Sequence, residues 1–213
     1  MKTRTLYGGV TCLDDYVPEP ASHHPALLAL PWETKRTARH EYFMSDKQLA
    51  YSYDSSGDYV SKPVVEPVTT IMRALNAELG VEFNACFLNK YDNAHQHLGW
   101  HADDFRGMDQ TQPIAVVSFG AEREIWVKDQ RGFACLACDG SGCPSCNLGF
   151  TKAPPNGKQP LDQRILLKDG SLFVMPAGYQ DTHFHRIPKC DRECGWRISL
   201  TFRCFKDSAP FEP

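Results

Sequence analysis

The chain has no apolar run long enough to span a bilayer, and Met1-Lys2-Thr3-Arg4-Thr5 is not followed by the hydrophobic stretch of a secretory signal. A cytoplasmic protein without a membrane partner is therefore expected, or a nuclear one in a eukaryote. An excess of positive charge is also missing: 23 Lys plus Arg stand against 26 Asp plus Glu, a net charge of −3. This excludes coating of nucleic acid by bulk charge, while a local basic groove would not show in the sum. Nor do the nine cysteines look like a disulfide framework, because the number is odd and four crowd between Cys135 and Cys146. That pattern points to a metal. What is present, 213 residues with 42% hydrophobic and 23% charged, is enough to bury a core in one globular domain, or one with a small appendage.

Residues 1–62 show little periodicity. A short helix is expected over Pro25 to Leu30, after the possible cap Ser22, with Leu27, Leu28 and Leu30 on the core. Tyr51 and Tyr53 alternate with Ser52, which suits an edge strand with half-buried rings or a pair of substrate contacts. From Pro67 to Leu79 the residues Val68, Ile71, Met72, Leu75 and Leu79 fall at helical spacing, with Gly80 at the stop. The period then changes to two. Val81 to Tyr91 reads as a strand with Phe83, Phe87, Asn89 and Tyr91 on one face, followed by short strands at Pro113 to Phe119, Glu124 to Val127, Arg164 to Leu167 and Ser171 to Met175. No helical pattern separates them, which argues against a parallel α/β fold. The expected class is mainly β (α+β), a double-stranded β-helix or jelly roll with an N-terminal helical buttress.

The last strand, Arg197 to Arg203, places Arg197, Ser199, Thr201 and Arg203 on one face and Ile198, Leu200 and Phe202 on the other. Two guanidiniums inside a barrel need an anionic ligand or carboxylates to offset their desolvation. Upstream, in Gly99-Trp100-His101-Ala102-Asp103-Asp104, an extended backbone sends His101 and Asp103 to the same side. One imidazole and one carboxylate can hold a single metal ion if a further ligand arrives, and either His183 or His185 could supply it. Two histidines and one carboxylate with an open face are the arrangement of non-haem Fe(II) oxygenases.

Taken together, Asn89-Lys90-Tyr91, HADD at 101–104, PIAVVSFGAERE at 113–124, GSLFVM at 170–175, HRIPK at 185–189 and RISLTFR at 197–203 resemble the AlkB family of Fe(II)- and 2-oxoglutarate-dependent dioxygenases. The resemblance implies that His101, Asp103 and His185 hold iron and form the catalytic centre. It implies that Arg197 and Arg203 anchor 2-oxoglutarate, helped by Asn89, Tyr91, Ser199 and Thr201. A base flipped out of its stack would lie between Tyr53 and His101, with Tyr51 and Asp104 near it. The implied reaction is O2-dependent oxidative demethylation of N-alkylated bases in DNA or RNA, an alkylation-repair activity that releases formaldehyde, succinate and CO2. A 2-oxoglutarate-dependent hydroxylase of a protein or small molecule is the alternative. The implied layout is one dioxygenase domain over 1–213, acting as a monomer on a nucleic-acid substrate. Within it, 1–80 serve substrate recognition and support, 81–205 form the catalytic core and 132–156 are an inserted loop.

That loop contains Cys135-x-x-Cys138 and Cys143-x-x-Cys146, joined by Asp139-Gly140-Ser141-Gly142. Paired C-x-x-C knuckles offer four thiolates to a tetrahedral zinc ion, and the segment resembles the CxxCxGxG pieces of DnaJ-type zinc domains. A competing zinc site combines either knuckle with Cys190 and Cys194. In some members of the AlkB family these two loops lie near nucleic acid, which suggests a part in gripping the strand.

Overall fold

The computed structural model describes residues 3–36, 38–52, 58–103, 107–134, 137–138, 143–144, 150–151 and 164–206. In chain order its strands and helices are β1 (Thr3–Thr5), β2 (Thr11–Leu13), α1 (His24–Leu28), β3 (Glu33–Arg36), β4 (Arg39–Ser45), β5 (Ala50–Ser52), β6 (Asp58–Val60), α2 (Val68–Leu79), β7 (Ala85–Tyr91), β8 (Leu98–His101), β9 (Ile114–Gly120), β10 (Arg123–Asp129), β11 (Phe133–Ala134), β12 (Phe150–Thr151), β13 (Arg164–Leu167), β14 (Leu172–Met175), α3 (Tyr179–Thr182), β15 (His183–Ile187) and β16 (Arg197–Arg203). Eight strands form a major sheet in the order β1-β2-β14-β9-β16-β7-β4-β3, and four form a minor sheet, β13-β10-β15-β8. Their neighbours pair antiparallel.

Alternation along the strands builds two cores. Phe87 and Tyr91 of β7, Val116 of β9 and Phe173 of β14 meet Ile125 and Val127 of β10, Ile165 and Leu167 of β13 and Ile187 of β15 between the sheets. The opposite face of the major sheet, with Leu88, Val117, Phe119, Ile198, Leu200 and Phe202, packs against α1 and α2. This is the expected jelly roll with its buttress. Helix α2 buries Val68, Ile71 and Leu75, each contributing about 1.5–3 kcal/mol of apolar transfer, and ends on Gly80, whose φ of 64° suits a residue without Cβ. The β9–β10 turn that joins the sheets requires glycine for a second reason. Gly120 has a φ of +83°, and a Cβ there would lie 2.5 Å from the Trp196 carbonyl oxygen.

Several local expectations need correction. Strand β7 begins at Ala85, not Val81, because the Asn76 side chain ties both the N–H and the C=O of Phe83 to α2. Phe83 therefore packs in the outer core, on the other side of the sheet from Phe87. Helix α1 starts at His24 after a 3-10 turn over Pro20–His23. The Ser22 hydroxyl donates to the Glu19 carbonyl and caps nothing. Leu27 is fully buried, Leu30 is partly so, and Leu28 is exposed. Strand β15 begins at His183, since Tyr179–Thr182 is a helical turn closed by the Thr182 hydroxyl on the Tyr179 carbonyl. Strand β16 is buried at all seven positions, so its polar face looks into the barrel.

Candidate active site

His101 ends the edge strand β8, and His185 sits opposite it on β15 in register. Their ring centroids are 4.2 Å apart. Asp103 follows two residues later, with Oδ1 3.6 Å from His101 Nε2. One donor atom from each of the three residues lies within 4.8 Å of the others. The backbone around Asp103 is fixed by side chains: its N–H donates to Gln180 Oε1 (2.8 Å), and its C=O accepts from Gln110 Nε2 (2.9 Å). Gln180 is held in turn by Gln130, whose Nε2 donates to its carbonyl (2.8 Å). At His101, Nδ1 donates to the Gly99 carbonyl at 2.9 Å, which leaves Nε2 with its lone pair toward the cluster.

Electrostatics holds the donors in the ligating state. Burial alone would raise the pKa of Asp103, but Arg203, His185 and His101 hold it at about 2. Burial and then the neighbouring His101 push His185 down to about 3. His101 is also lowered by burial, with Asp103 acting the other way. The cluster at neutral pH is thus a carboxylate with two neutral imidazoles.

Strand β16 supplies the adjoining wall. Arg203 Nη2 lies 2.8 Å from Asp103 Oδ2, so this guanidinium is spent first on orienting the carboxylate. Six residues upstream, fully buried Arg197 donates to Ser118 Oγ (2.9 Å) and lies over the Tyr91 ring (5.6 Å to its centroid). Cross-strand register sets Arg197 beside Tyr91, Ser199 beside Asn89 and Thr201 beside Phe87. Asn89, Tyr91, Ser199, Thr201 and both arginines therefore share one buried, inward face. His183 stands apart from the cluster, stacked on Tyr179 at 4.4 Å. Tyr53, Asp104, Cys135 and Cys146 lie outside the described residues, as does the side chain of Tyr51. Cys138 and Cys143 are half-buried. Cys190 and Cys194, in the loop after β15, have their sulfurs 3.2 Å apart.

Sequence reading missed four neighbours of this site. Arg39 and Glu41, side by side on the inward face of β4, form a buried ion pair. Arg39 Nε donates to Asn89 Oδ1 (2.7 Å), and Tyr59 Oη donates to Glu41 Oε2 (2.5 Å). Buried Arg123 donates to the carbonyls of Gln96 (3.0 Å) and Pro188 (2.5 Å), joining the loop before β8 to the loop after β15. Gln180 carries no motif. For Arg39 and Glu41 a signal existed, since period two puts both on one face with Phe43.

A model of the 2OG-Fe(II) oxygenase superfamily matches residues 14–203. The chain belongs to that superfamily. It is 36% identical over 158 residues to the Arabidopsis thaliana protein named DNA oxidative demethylase ALKBH2, covering 74% of this chain and 46% of the relative. To the Homo sapiens protein of that name it is 30% identical over 161 residues, covering 74% and 53%. The chain thus spans about half the length of the curated relatives it matches. The solved structure of OsALKBH1 superposes with a TM-score of 0.60 at 14% identity, covering 95% of this chain and 99% of the other. That likeness concerns the fold alone. Among the described residues no helix is long and apolar enough to cross a membrane.

The superfamily's iron and 2-oxoglutarate fit these residues. A carboxylate and two neutral imidazoles are a donor set for ferrous iron. Nearby, Arg197 Nε and Nη1, the Tyr91 hydroxyl and His185 Nδ1 are buried without hydrogen-bond partners among the described residues. Leaving such groups unsatisfied costs about 1–3 kcal/mol each. A bound carboxylate would offer an acceptor to the free Nη1 edge of Arg197.

Proposed function

We propose that the chain catalyses Fe(II)- and 2-oxoglutarate-dependent oxidative demethylation of N-alkylated bases in DNA or RNA, with DNA favoured by the names of its relatives. The observation that carries the reading is the His101–Asp103–His185 cluster with Arg203 on its carboxylate and the unsatisfied Arg197 on the same strand. His101, Asp103 and His185 would hold the iron. Arg197, with Tyr91, would take one carboxylate of 2-oxoglutarate, and Arg203 would hold Asp103 in place and meet the other. Asn89, Ser199 and Thr201 line the pocket, and Tyr51, Tyr53 and Asp104 are assigned to the base. When bound, iron and 2-oxoglutarate supply the oxidation of a C–H bond by dioxygen, with decarboxylation of the keto acid to succinate. An N-methyl carbon so hydroxylated leaves as formaldehyde, and the nitrogen keeps the C–N bonding pair, which restores the base. The inward-facing residues exclude water and orient the two substrates.

The test is incubation with Fe(II), 2-oxoglutarate and methylated single- and double-stranded DNA and RNA, with formaldehyde and restored base measured. Succinate release that never depends on an oligonucleotide would favour a protein or small-molecule hydroxylase instead. His101→Ala and Asp103→Ala should each abolish turnover while circular dichroism stays unchanged, and substantial activity in both would overturn the metal assignment. Asp103→Asn should be inactive, whereas Asp104→Asn should change substrate KM.

The cysteine-rich insertion is read as a structural zinc loop using Cys135, Cys138, Cys143 and Cys146, with Cys190 and Cys194 as the competing pair. Its expected place is beside the substrate strand. One zinc per chain that survives Cys190→Ser/Cys194→Ser but not Cys138→Ser/Cys143→Ser supports the first set; loss of zinc in both variants supports a site that combines a knuckle with Cys190 and Cys194. The proposed layout keeps one domain with 1–80 as recognition and support, 81–205 as core and 132–156 as insertion. A DNA substrate in a eukaryote would place the protein in the nucleus.

A further inference from the structure

The minor sheet has one face toward the metal ligands and one away from them. On the inward face lie His101, His185, Val127, Ile125 and Ile165. Alternation turns Trp100 of β8, Phe184 and Arg186 of β15, Trp126 and Lys128 of β10 and Arg164 of β13 to the other side. Trp126 is in register with Arg164 on one neighbouring strand and Arg186 on the other. Their guanidinium carbons lie 4.5 and 4.1 Å from its ring centroid. Arg186 also lies 5.0 Å from the Trp100 ring, and Lys128 lies over Trp100 (4.7 Å) and Phe184 (5.8 Å). Cations and rings therefore alternate in a row across all four strands, about 14 Å wide at ordinary strand spacing.

Glu124, on the same face of β10, is engaged by the Trp126 indole N–H at 2.6 Å. Arg164 and Arg186 have no ion-pair partner among the described residues, and the Nε of each is buried without a hydrogen-bond partner. Stacking on indole holds a guanidinium flat and weakly hydrated, with its N–H edge outward. Such an edge suits the oxygens of a phosphodiester. Position favours the same ligand, since Trp100 and His101 are consecutive on the edge strand and point to opposite faces. A strand lying on the outer face needs only to turn over β8 to reach the metal side.

We propose that the outer face of the minor sheet is a phosphodiester-binding track, on which Arg164, Arg186 and Lys128, held by Trp126 and Trp100, bind the polynucleotide strand flanking the target base. The track rests on the nucleic-acid reading given above, and its test is kept separate from catalysis. Binding of a fluorescent unmodified oligonucleotide to the full chain is followed by anisotropy across salt concentrations. Wild type should bind with a salt slope that the Arg164→Gln/Arg186→Gln variant reduces by about 2, one for each cation lost. Arg164→Lys/Arg186→Lys, which retains the charge, should restore the slope. Thermal melting of each variant identifies loss of fold, in which case Lys128→Gln alone, expected to lower the slope by about 1, decides. Equal affinity and slope in wild type and the folded Gln variants would overturn the track, as would a preference for anionic lipid vesicles over oligonucleotide. Demethylation by wild type is measured independently. A chain that demethylates with an unchanged slope in the Gln variants refutes the track alone; one that binds through these arginines and demethylates nothing refutes the catalytic reading alone.

Discussion

Arg197 is the residue whose surroundings make least sense without a ligand. It is fully buried, with Nε and Nη1 unsatisfied, and burial pulls its pKa down to about 10 against the opposing pull of Tyr91. It therefore stays cationic at neutral pH, in a place where an uncompensated charge is costly. Arg197→Met should leave the melting temperature of ligand-free protein unchanged or higher, since the lost interactions are few and the lost desolvation is large. With a divalent metal present, 2-oxoglutarate at a hundred times its Kd should stabilise wild type by about 2.7 kcal/mol and the variant not at all. Retained stabilisation would remove Arg197 from the binding site. The two histidines of the cluster make a pH prediction of opposite character. His185, at about 3, and His101, lowered by burial, both have folded pKa values below the unfolded value of 6.5. The unfolded chain thus binds more protons below about pH 6.5, and stability falls as pH drops through that window, by up to ~1.4 kcal/mol per pH unit for each histidine. Asp103, held at about 2, adds a further loss only below its unfolded value of 3.8. Urea midpoints of metal-free protein between pH 7 and 4.5 should decline, and His101→Gln/His185→Gln should flatten the decline. An unchanged slope would place the titration elsewhere.

Among the elements, β4 shows how a strand can carry charge into a barrel. Arg39 and Glu41 face inward together and complete each other's hydrogen bonds with Asn89 and Tyr59. Removing one partner leaves a buried charge, so Glu41→Leu should cost about 3–5 kcal/mol. Arg39→Leu/Glu41→Leu should recover most of that loss. A double-mutant cycle by chemical denaturation measures the difference, and additive losses would show that the two residues act separately. The same strand explains what was legible beforehand. His101-x-Asp103 and the arginines of β16 were readable because period two relates residues within one strand, where sequence spacing alone sets the face. Period two puts Arg39 and Glu41 on one face, but nothing local shows that the face is buried, because its partners Asn89 and Tyr59 come from β7 and from the β5–β6 hairpin. Arg123 and Gln180 act through backbone carbonyls and an N–H of distant loops, which leave no mark in local sequence. The row on the minor sheet joins residues from position 100 to 186, so only the strand order reveals it. Where period two failed, as at Phe83, a side chain of the preceding helix had captured the backbone.

For the molecule as a whole, a net charge of −3 conceals two cationic places of different kinds. Inside the barrel, Arg39 is matched by Glu41 and Arg203 by Asp103, while Asp129 pairs outward with Arg131. Among the described residues this leaves Arg123 and Arg197 buried without a carboxylate, a surplus that the two carboxylates of 2-oxoglutarate would offset. On the outer face of the minor sheet Arg164, Arg186 and Lys128 remain at the water boundary. Salt separates the two, because counterions screen charges at the surface and barely reach buried ones. Raising salt from 50 to 200 mM should weaken oligonucleotide binding by about forty-fold if the three outer cations each neutralise a phosphate. Over the same range the affinity for 2-oxoglutarate, read from thermal shifts, should change by no more than about threefold. Equal salt sensitivity of the two ligands would mean that both bind at exposed charge, and the division between an interior anion site and an exterior strand track would fall.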